Sequence, residues 1–407
     1  MKFLNKLSVL SIIPWLKLNL NLKWILNTFL VLIFYLAMQI STWLPLRFWH
    51  AGDGKFGDLN QVLIWGECFT TNGNLVYEVH QGDICSNYNY GNILLRILSL
   101  ANLKSENLYY YGCLFIFIFA ITTGFILSKI SFKSKFLLFL PIIASPPFML
   151  IVERGNLDII MLVILTLASL AFFYGYQKSS LILVFISVLI KFYTLPVFLI
   201  YLLLSKSNAF RIQVLTSLVI AGFIVLEDLK KIRKGFPMGG ETFFGMSVWP
   251  RYLAPHAPNH LLPESLNHLI GLIIFSLLVT LVLSISSLQT WRTIDYSQIE
   301  IYKSPFGFLF IVLYVVHFSC YISGTSYDYR LIYIAFATIS LLVFFKKFKL
   351  DQLNFRILIA FLFSTLWLSF PSGGLQPLGD LSLEILTIIL GFYCWNLIRN
   401  YKSLLTI

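Results

Sequence analysis

The sequence has little charge. Only 12% of its 407 residues are Asp, Glu, Lys or Arg, which is about half the share found in a typical soluble domain. It also lacks the regular alternation of apolar and polar residues that forms an outer-membrane barrel. Apolar residues are abundant instead, at 58% of the chain, and runs of about 20 of them recur, each long enough to cross a bilayer as a helix. The composition therefore predicts an all-α, polytopic helical membrane protein.

We expect about 12 transmembrane helices in a single domain over residues 24–407, preceded by a cytoplasmic N-terminal segment, 1–23. Two larger loops, 45–107 and 229–265, are expected on the outer side of the membrane. The predicted spans are 24–44, 108–128, 136–152, 157–175, 180–191, 194–205, 209–227, 266–288, 305–322, 327–345, 353–370 and 382–398.

The net charge of +12 is placed in short clusters of Lys and Arg between apolar runs. This pattern orients helices in a bilayer and puts both termini in the cytoplasm. A basic stripe interleaved with aromatic residues, as a nucleic-acid surface requires, is absent, so we expect no nucleic-acid partner. The Phe-, Ile- and Lys-rich composition favours a bacterial inner membrane.

Several chemical signatures are also missing. The sequence has no glycine-rich phosphate cradle, Walker motif or nucleophile elbow. A soluble nucleotide or nucleotide sugar therefore has no recognisable binding domain, and a substrate that arrives within the membrane fits better. The five cysteines lack metal-ligand spacing, so no zinc site is expected. Cys68 and Cys85 both lie in the first outer loop, where they either form a disulfide or remain two thiols.

The first outer loop places two aspartates, Asp53 and Asp58, directly after the first predicted span. A carboxylate at the membrane surface can act as a general base toward a sugar hydroxyl, or it can bind a divalent metal. The alternative is that both residues belong to ordinary turns, which Gly-Asp-Gly sequences often form. The chain then continues as a short amphipathic helix, 59–69.

A second polar group separates two apolar runs. Charged and amide side chains at membrane depth are costly, so they indicate a functional site that binds substrate. The alternative is an internal ion pair beside a capped helix. The residues in question are Glu153, Arg154, Asn156 and Asp158.

Lys191 stands in the middle of an apolar region and is followed by Pro196. Proline and lysine are both costly within a span unless the backbone turns there beside a cavity. We therefore expect two short helices, 180–191 and 194–205, with Lys191 facing an outer cavity where it could bind phosphate. Snorkelling of the lysine to the membrane surface is the alternative.

Two further pairs are candidate phosphate contacts. Arg330 offers the planar donor fork that suits phosphate, with Asp328 to orient it, although the two could also pair for structural reasons alone. In the second outer loop, Arg251 and His256 are candidate contacts to a lipid phosphate. A solvated basic loop is the alternative for that pair.

Taken together, these residues resemble integral-membrane glycosyltransferases of the GT-C superfamily, in particular family 87, typified by mannosyltransferases that use a polyprenyl-phosphate sugar. The resemblance extends over nearly the whole chain. The matching segments are Asp58-Leu59 with Val76-Tyr77 and Cys85-Ser-Asn-Tyr-Asn-Tyr-Gly91, then Glu153-Arg-Gly-Asn156 with Asp158, Lys191-Phe-Tyr-Thr-Leu-Pro196, and Ser326-Tyr-Asp-Tyr-Arg330.

The resemblance implies a GT-C-like fold and an inverting transfer of a hexose such as mannose to a glycan or lipid acceptor of the cell envelope. Asp58 matches the position of the general base, with Asp53 as the alternative. Lys191, Arg330 and Arg154 would stabilise the departing phosphate. A divalent metal is used by some members, and none is predicted here. The proline after Lys191 stands two places later than in the tight form of the family's motif.

Two other classes remain open. A polytopic transporter or lipid flippase would place polar residues along its spans, whereas most predicted spans here are Leu, Ile and Phe, and no internal repeat is evident. An O-antigen polymerase or ligase also uses a lipid-linked glycan. Such proteins place their larger loops late in the chain with paired arginines, whereas this chain has its largest loop first, with aspartates.

Overall fold

The computed structural model describes most of the predicted helices and part of the loops. The described residues are 22–40, 55–73, 76, 85, 88, 90–129, 140–205, 207–232, 243–244, 277, 304–322, 326–345, 352–369 and 375–403.

Over these residues the fold is all-α apart from one short strand pair. The helices are α1 (Leu22–Ile40), α2 (Gly57–Asn72), α3 (Asn92–Leu100), α4 (Leu108–Ser128), α5 (Pro146–Arg154), α6 (Asp158–Phe173), α7 (Gln177–Ile190), α8 (Val197–Leu204), α9 (Asn208–Ile232), α10 (Pro305–Ile322), α11 (Ile332–Phe345), α12 (Gln352–Leu368) and α13 (Gln376–Ser403). Short 3-10 turns lie at Ser105–Asn107, Phe192–Thr194 and Asp328–Leu331. Strands β1 (Phe243–Phe244) and β2 (Ser326–Tyr327) pair antiparallel.

Four of the described helices are long and apolar enough to cross a membrane. A fifth crossing is formed if α5 and α6, which meet at a bend of 106°, are counted as one broken span. This confirms the predicted helical class, while the number of 12 spans stays a prediction. The four long segments are Ser105–Ser128, Asn208–Lys231, Pro305–Ile322 and Gln376–Arg399.

The predicted boundaries agree best where an apolar run has polar neighbours on both sides. α4 and α10 match the expected 108–128 and 305–322. The expected interruption near Lys191 is confirmed, since α7 ends at Ile190 and α8 begins at Val197. The last helix is longer than the expected 382–398, since it begins at Gln376 and ends at Ser403. Its earlier start adds the buried Asp380 to the helix, whereas Glu384 already lay within the expected span. The predicted span 266–288 and most of the loop 229–265 lie outside the described residues, as does the segment 1–21.

Large aromatic side chains form the core that fixes the site-bearing helices. Phe119 of α4, Phe148 of α5 and Phe336 of α11 are fully buried, with ring centroids 5.3–6.3 Å apart. A second group stacks Phe172 of α6 on Phe308 of α10 at 4.4 Å. Each such ring buries a large apolar area in a specific geometry. These ring contacts fix α5 and α11 against α4, and α6 against α10.

Candidate functional site

The site begins where the chain enters α2. Phe56 adopts a left-handed backbone conformation with φ of 59°, which is uncommon for a residue other than glycine. Its N–H donates to the carbonyl of Glu153 at 2.7 Å, and its ring lies against Gly112 of α4. This local fold brings Asp58, in the first turn of α2, beside the end of α5.

The break between α5 and α6 supplies the next residues. Gly155 ends α5 in the left-handed region with φ of 59°, the conformation that glycine adopts at helix C-termini without a steric cost. Asn156 follows, and its side-chain oxygen accepts the backbone N–H of Asp158 at 2.9 Å. This bond satisfies one of the open donors at the start of α6. The bend thus brings three alternate residues, Arg154, Asn156 and Asp158, to the same site.

Asp58 is held from both sides by this bend. Its Oδ1 accepts from Arg154 Nε at 2.7 Å and lies 2.5 Å from Arg154 Nη2. Its Oδ2 accepts from the amide of Asn156 at 2.5 Å. A carboxylate that accepts hydrogen bonds from a guanidinium group and from an amide has a fixed orientation. Asp58 is therefore positioned by residues nearly 100 places later in the chain.

Asp158 is fully buried and is the centre of a second group. Its Oδ2 lies 2.9 Å from Lys191 Nζ and 3.4 Å from Arg330 Nε. Its Oδ1 accepts from the hydroxyls of Tyr193 and of Tyr333, the latter at 2.9 Å. A buried charge needs this degree of pairing, because an uncompensated one is very costly in an apolar interior.

Asn156 joins the two groups. Besides donating to Asp58, it accepts from Lys191 Nζ at 3.1 Å through its side-chain oxygen. Its amide nitrogen therefore faces Asp58, and its oxygen faces Lys191, the partner of Asp158. The side chain is fully buried. Because the amide has one donor end and one acceptor end, its position fixes the distance between Asp58 and Lys191.

The joined network contains ionisable side chains of both signs. Arg154, Lys191 and Arg330 are basic members, and Asp58 and Asp158 are the acidic residues paired with them. Basic side chains in a shielded place favour an anionic ligand.

Exposure divides the network into an edge and an interior. The side chains of Asp58, Arg154 and Arg330 are 15%, 22% and 20% exposed. Asp158 and Lys191 are buried and already bonded to other side chains. The three edge residues are therefore partly accessible, whereas Asp158 and Lys191 contact other side chains of the network.

Aromatic rings border the positive charges. Lys191 Nζ lies 5.1 Å from the ring centroid of Tyr90 and 5.8 Å from that of Tyr193. The guanidinium carbon of Arg330 lies 5.1 Å from the same Tyr193 ring, so this tyrosine sits between two cations. Cation–π contacts at these distances are favourable.

Tyr90 is held in place by a disulfide-linked segment. In the structure, Cys68 of α2 and Cys85 form a disulfide, which was one of the two alternatives considered for this pair. Three residues later, Tyr88 is fully buried against Trp65 of α2, at 5.2 Å between ring centroids. Its hydroxyl donates to the carbonyl of Gly91 at 2.8 Å. The disulfide and the Tyr88–Trp65 contact thus attach the residues next to Tyr90 to α2, the helix that carries Asp58.

The structure brings together six of the eleven predicted catalytic and binding residues. These are Asp58, Arg154, Asn156, Asp158, Lys191 and Arg330. Glu153 contributes its backbone carbonyl, to Phe56. Asp53, Arg251 and His256 lie outside the described residues, as does the side chain of Asp328.

Sequence reasoning gave no role to Tyr193 or Tyr333, which both bond Asp158. The available signal was their position, two and three residues after Lys191 and Arg330 respectively. With regard to cofactors, the described residues contain no group of three or more His, Cys, Asp or Glu side chains that could bind a metal ion.

Comparison with known proteins adds no relative: no family model matches the chain, and no curated protein and no solved structure is significantly similar to it.

Proposed function

We propose that the protein is a membrane glycosyltransferase of the GT-C type, with about 12 spans, that moves a hexose from a polyprenyl-phosphate donor to a glycan or lipid acceptor. The observation that carries the proposal is the position of Asp58. An oriented carboxylate lies at the exposed edge of a network that contains three basic side chains. This combination suits a reaction that removes a proton from a hydroxyl while an anionic phosphate leaves.

In the proposed reaction, Asp58 accepts the proton of the acceptor hydroxyl. The hydroxyl oxygen forms a bond to the anomeric carbon, and the bond from that carbon to the phosphate oxygen breaks. The electron pair of the broken bond leaves with the phosphate. Because the hydroxyl attacks the face of the sugar opposite the phosphate, the anomeric centre inverts. Arg330 and Arg154, at the exposed edge, face the developing charge, with Lys191 behind them.

The proposed orientation places both termini in the cytoplasm of a bacterial cell and the site on the outer face of its inner membrane. The disulfide supports this side, because such bonds persist in oxidising compartments. Cys68 belongs to the helix that carries Asp58, so both lie on the same side of the bilayer.

The test is mass spectrometry of lipids and glycans from cells that produce the wild-type protein or the Asp58→Asn variant at matched levels. We expect a hexose-sized mass increase on one acceptor with the wild type and its loss with the variant. Asp58→Asn keeps the size of the side chain and removes its ability to accept a proton. A product that is equal for both proteins would refute the role of Asp58, and Asp53→Asn would then be compared.

A transporter or lipid flippase is the second candidate, and one observation favours it. Polar side chains are buried between α10 and α13, including Glu384 and His317. Ionisable residues within a span commonly serve translocation. If neither variant nor wild type changes any lipid-linked sugar or glycan, this candidate takes precedence.

A further inference from the structure

A row of polar side chains runs along the contact between α10 and α13, apart from the site described above. The hydroxyl of Tyr321 donates to Glu384 Oε1 at 2.7 Å. Toward the other end of α10, His317 Nε2 and Thr387 Oγ1 lie 3.0 Å apart. We refer to these four residues as the polar seam.

The seam follows from the spacing of residues on both helices. Along α13 its members are three residues apart, and along α10 they are four apart, so each pair lies on one face of its helix. Going along α10, the partner numbers on α13 fall, which means that the helices run antiparallel. The seam therefore consists of two polar pairs, one after the other along the helices rather than around them.

Glu384 lies well inside its helix. It is eight residues from the start of α13 at Gln376, or about 12 Å along the axis, and its side chain is 1% exposed. A glutamate at the end of a helix could reach water by extending its side chain. The burial of Glu384 shows that this one does not.

Among the residues that the structure describes, no cation pairs with Glu384. Among the described residues it has one hydrogen-bond partner, Tyr321, and its other oxygen, Oε2, is buried without a donor. Asp380, one turn earlier on α13, is 5% exposed. On the facing helix α10, the titratable neighbours are Tyr321 and His317, and neither is a permanent cation.

The described residues of the other helices packed against α13 supply no cation to Glu384 either. The described side chains of α12 include one charged residue, Arg356, which is exposed at the far end of that helix. On α8 the titratable residue is Tyr201, whose hydroxyl is shared with Ser180 at 2.5 Å. With respect to the described residues, a carboxylate at Glu384 would therefore be an uncompensated charge in an apolar interior, which is energetically costly.

We propose that Glu384 is the carboxyl of a proton-binding site inside the membrane, with Tyr321 as its hydrogen-bond partner. Asp380 lies between it and the start of α13, and His317 with Thr387 continues the polar line deeper into the bundle. The ligand of this site is a proton, since a neutral carboxylic acid removes the uncompensated charge. The proposal is independent of glycosyl transfer, so the failure of either leaves the other standing.

Infrared spectroscopy tests this directly, because a protonated carboxylic acid has a carbonyl stretch above the amide band, whereas a carboxylate does not. The full-length protein is purified and placed in phosphatidylcholine vesicles at neutral pH, and the spectrum of Glu384→Gln is subtracted from that of the wild type. We expect a protonated-acid band that is present in the wild type and lost in the variant. Loss of carboxylate bands instead would overturn the proposal.

The matched control is Glu227→Gln on α9, which makes the same chemical change at an exposed glutamate that pairs with Lys230. We expect that variant to lose carboxylate bands only. A second variant, Tyr321→Phe, keeps the carboxyl and removes its hydrogen bond, so it serves even if Glu384→Gln does not fold. The protonated-acid band should move to higher frequency in Tyr321→Phe, and an unmoved band would refute the assigned partner.

Discussion

Replacing Lys191 with methionine removes one half of the buried ion pair at the centre of the site. Lys191 Nζ lies 2.9 Å from Asp158 Oδ2, and Asp158 is fully buried. Methionine keeps most of the apolar stem and leaves the carboxylate without its closest cation. Breaking a buried pair in this way costs about 3–5 kcal/mol.

The structure places the expected value near the low end of that range. After the substitution, Asp158 still accepts from Tyr333 at 2.9 Å and from Tyr193, and Arg330 remains at 3.4 Å. These partners compensate part of the charge. We therefore expect a loss of about 3 kcal/mol, which is a large part of the total stability of a folded protein, about 5–15 kcal/mol.

The assay is equilibrium unfolding of the purified protein in detergent for four proteins: the wild type, Lys191→Met, Asp158→Asn and the double variant. The double variant leaves neither charge behind, so its loss should be smaller than the sum of the two single losses. Lys178→Met is the matched control, because Lys178 is exposed at the start of α7, and it should leave stability nearly unchanged. Additive single losses, or a Lys191→Met variant as stable as the control, would refute the buried pair.

Three further predictions use the same unfolding assay. Cys68→Ser removes the disulfide and should cost about 3 kcal/mol for a loop of this length, and a reducing agent should then destabilise the wild type but not the variant. Gly91→Ala should prevent normal packing, because its Cβ would lie 1.9 Å from the carbonyl oxygen of Leu189; a variant of normal stability would contradict that approach. Tyr333→Phe removes one hydrogen bond to a buried carboxylate and should lower the free energy of unfolding by about 1.5–3 kcal/mol. If Tyr333→Phe is as stable as the wild type while Asp158→Asn is destabilised, the hydrogen bond is contradicted.

Sequence reasoning was strongest where long apolar runs end at polar residues. The bounds of α4 follow from such a run, because a helix in an apolar surrounding must satisfy its own backbone hydrogen bonds. The interruption at Lys191 was also predictable, since Lys191 and Pro196 are both costly within a span. Neither inference requires knowledge of any neighbouring helix.

The start of α13 shows where the same reasoning failed. The expected span, 382–398, excluded Asp380 and contained Glu384, and neither residue was given a role. In the structure both residues are buried, because α10 places the hydroxyl of Tyr321 against Glu384. That partner is 63 residues away, and nothing near Glu384 in the chain points to it.

The candidate site was predicted as separate polar groups at the ends of helices. The sequence did not show that Asn156 connects Asp58 to Lys191, because the amide contacts residues 98 positions before it and 35 positions after it. It also did not distinguish the exposed edge of the network from its interior. That distinction depends on which side chains the surrounding helices cover.

The amino-acid sequence by itself determined the helical membrane class, the positions of several breaks and the residue types available for chemistry. Those properties follow from local hydropathy, backbone hydrogen bonding and the cost of charge in an apolar surrounding. Only the tertiary structure decided which charges meet. Asp158 is neutralised by Lys191 and Arg330, while Glu384 has no cation among the described residues. The energy of a charge depends on distances to its partners, and folding alone sets those distances between residues far apart in the chain.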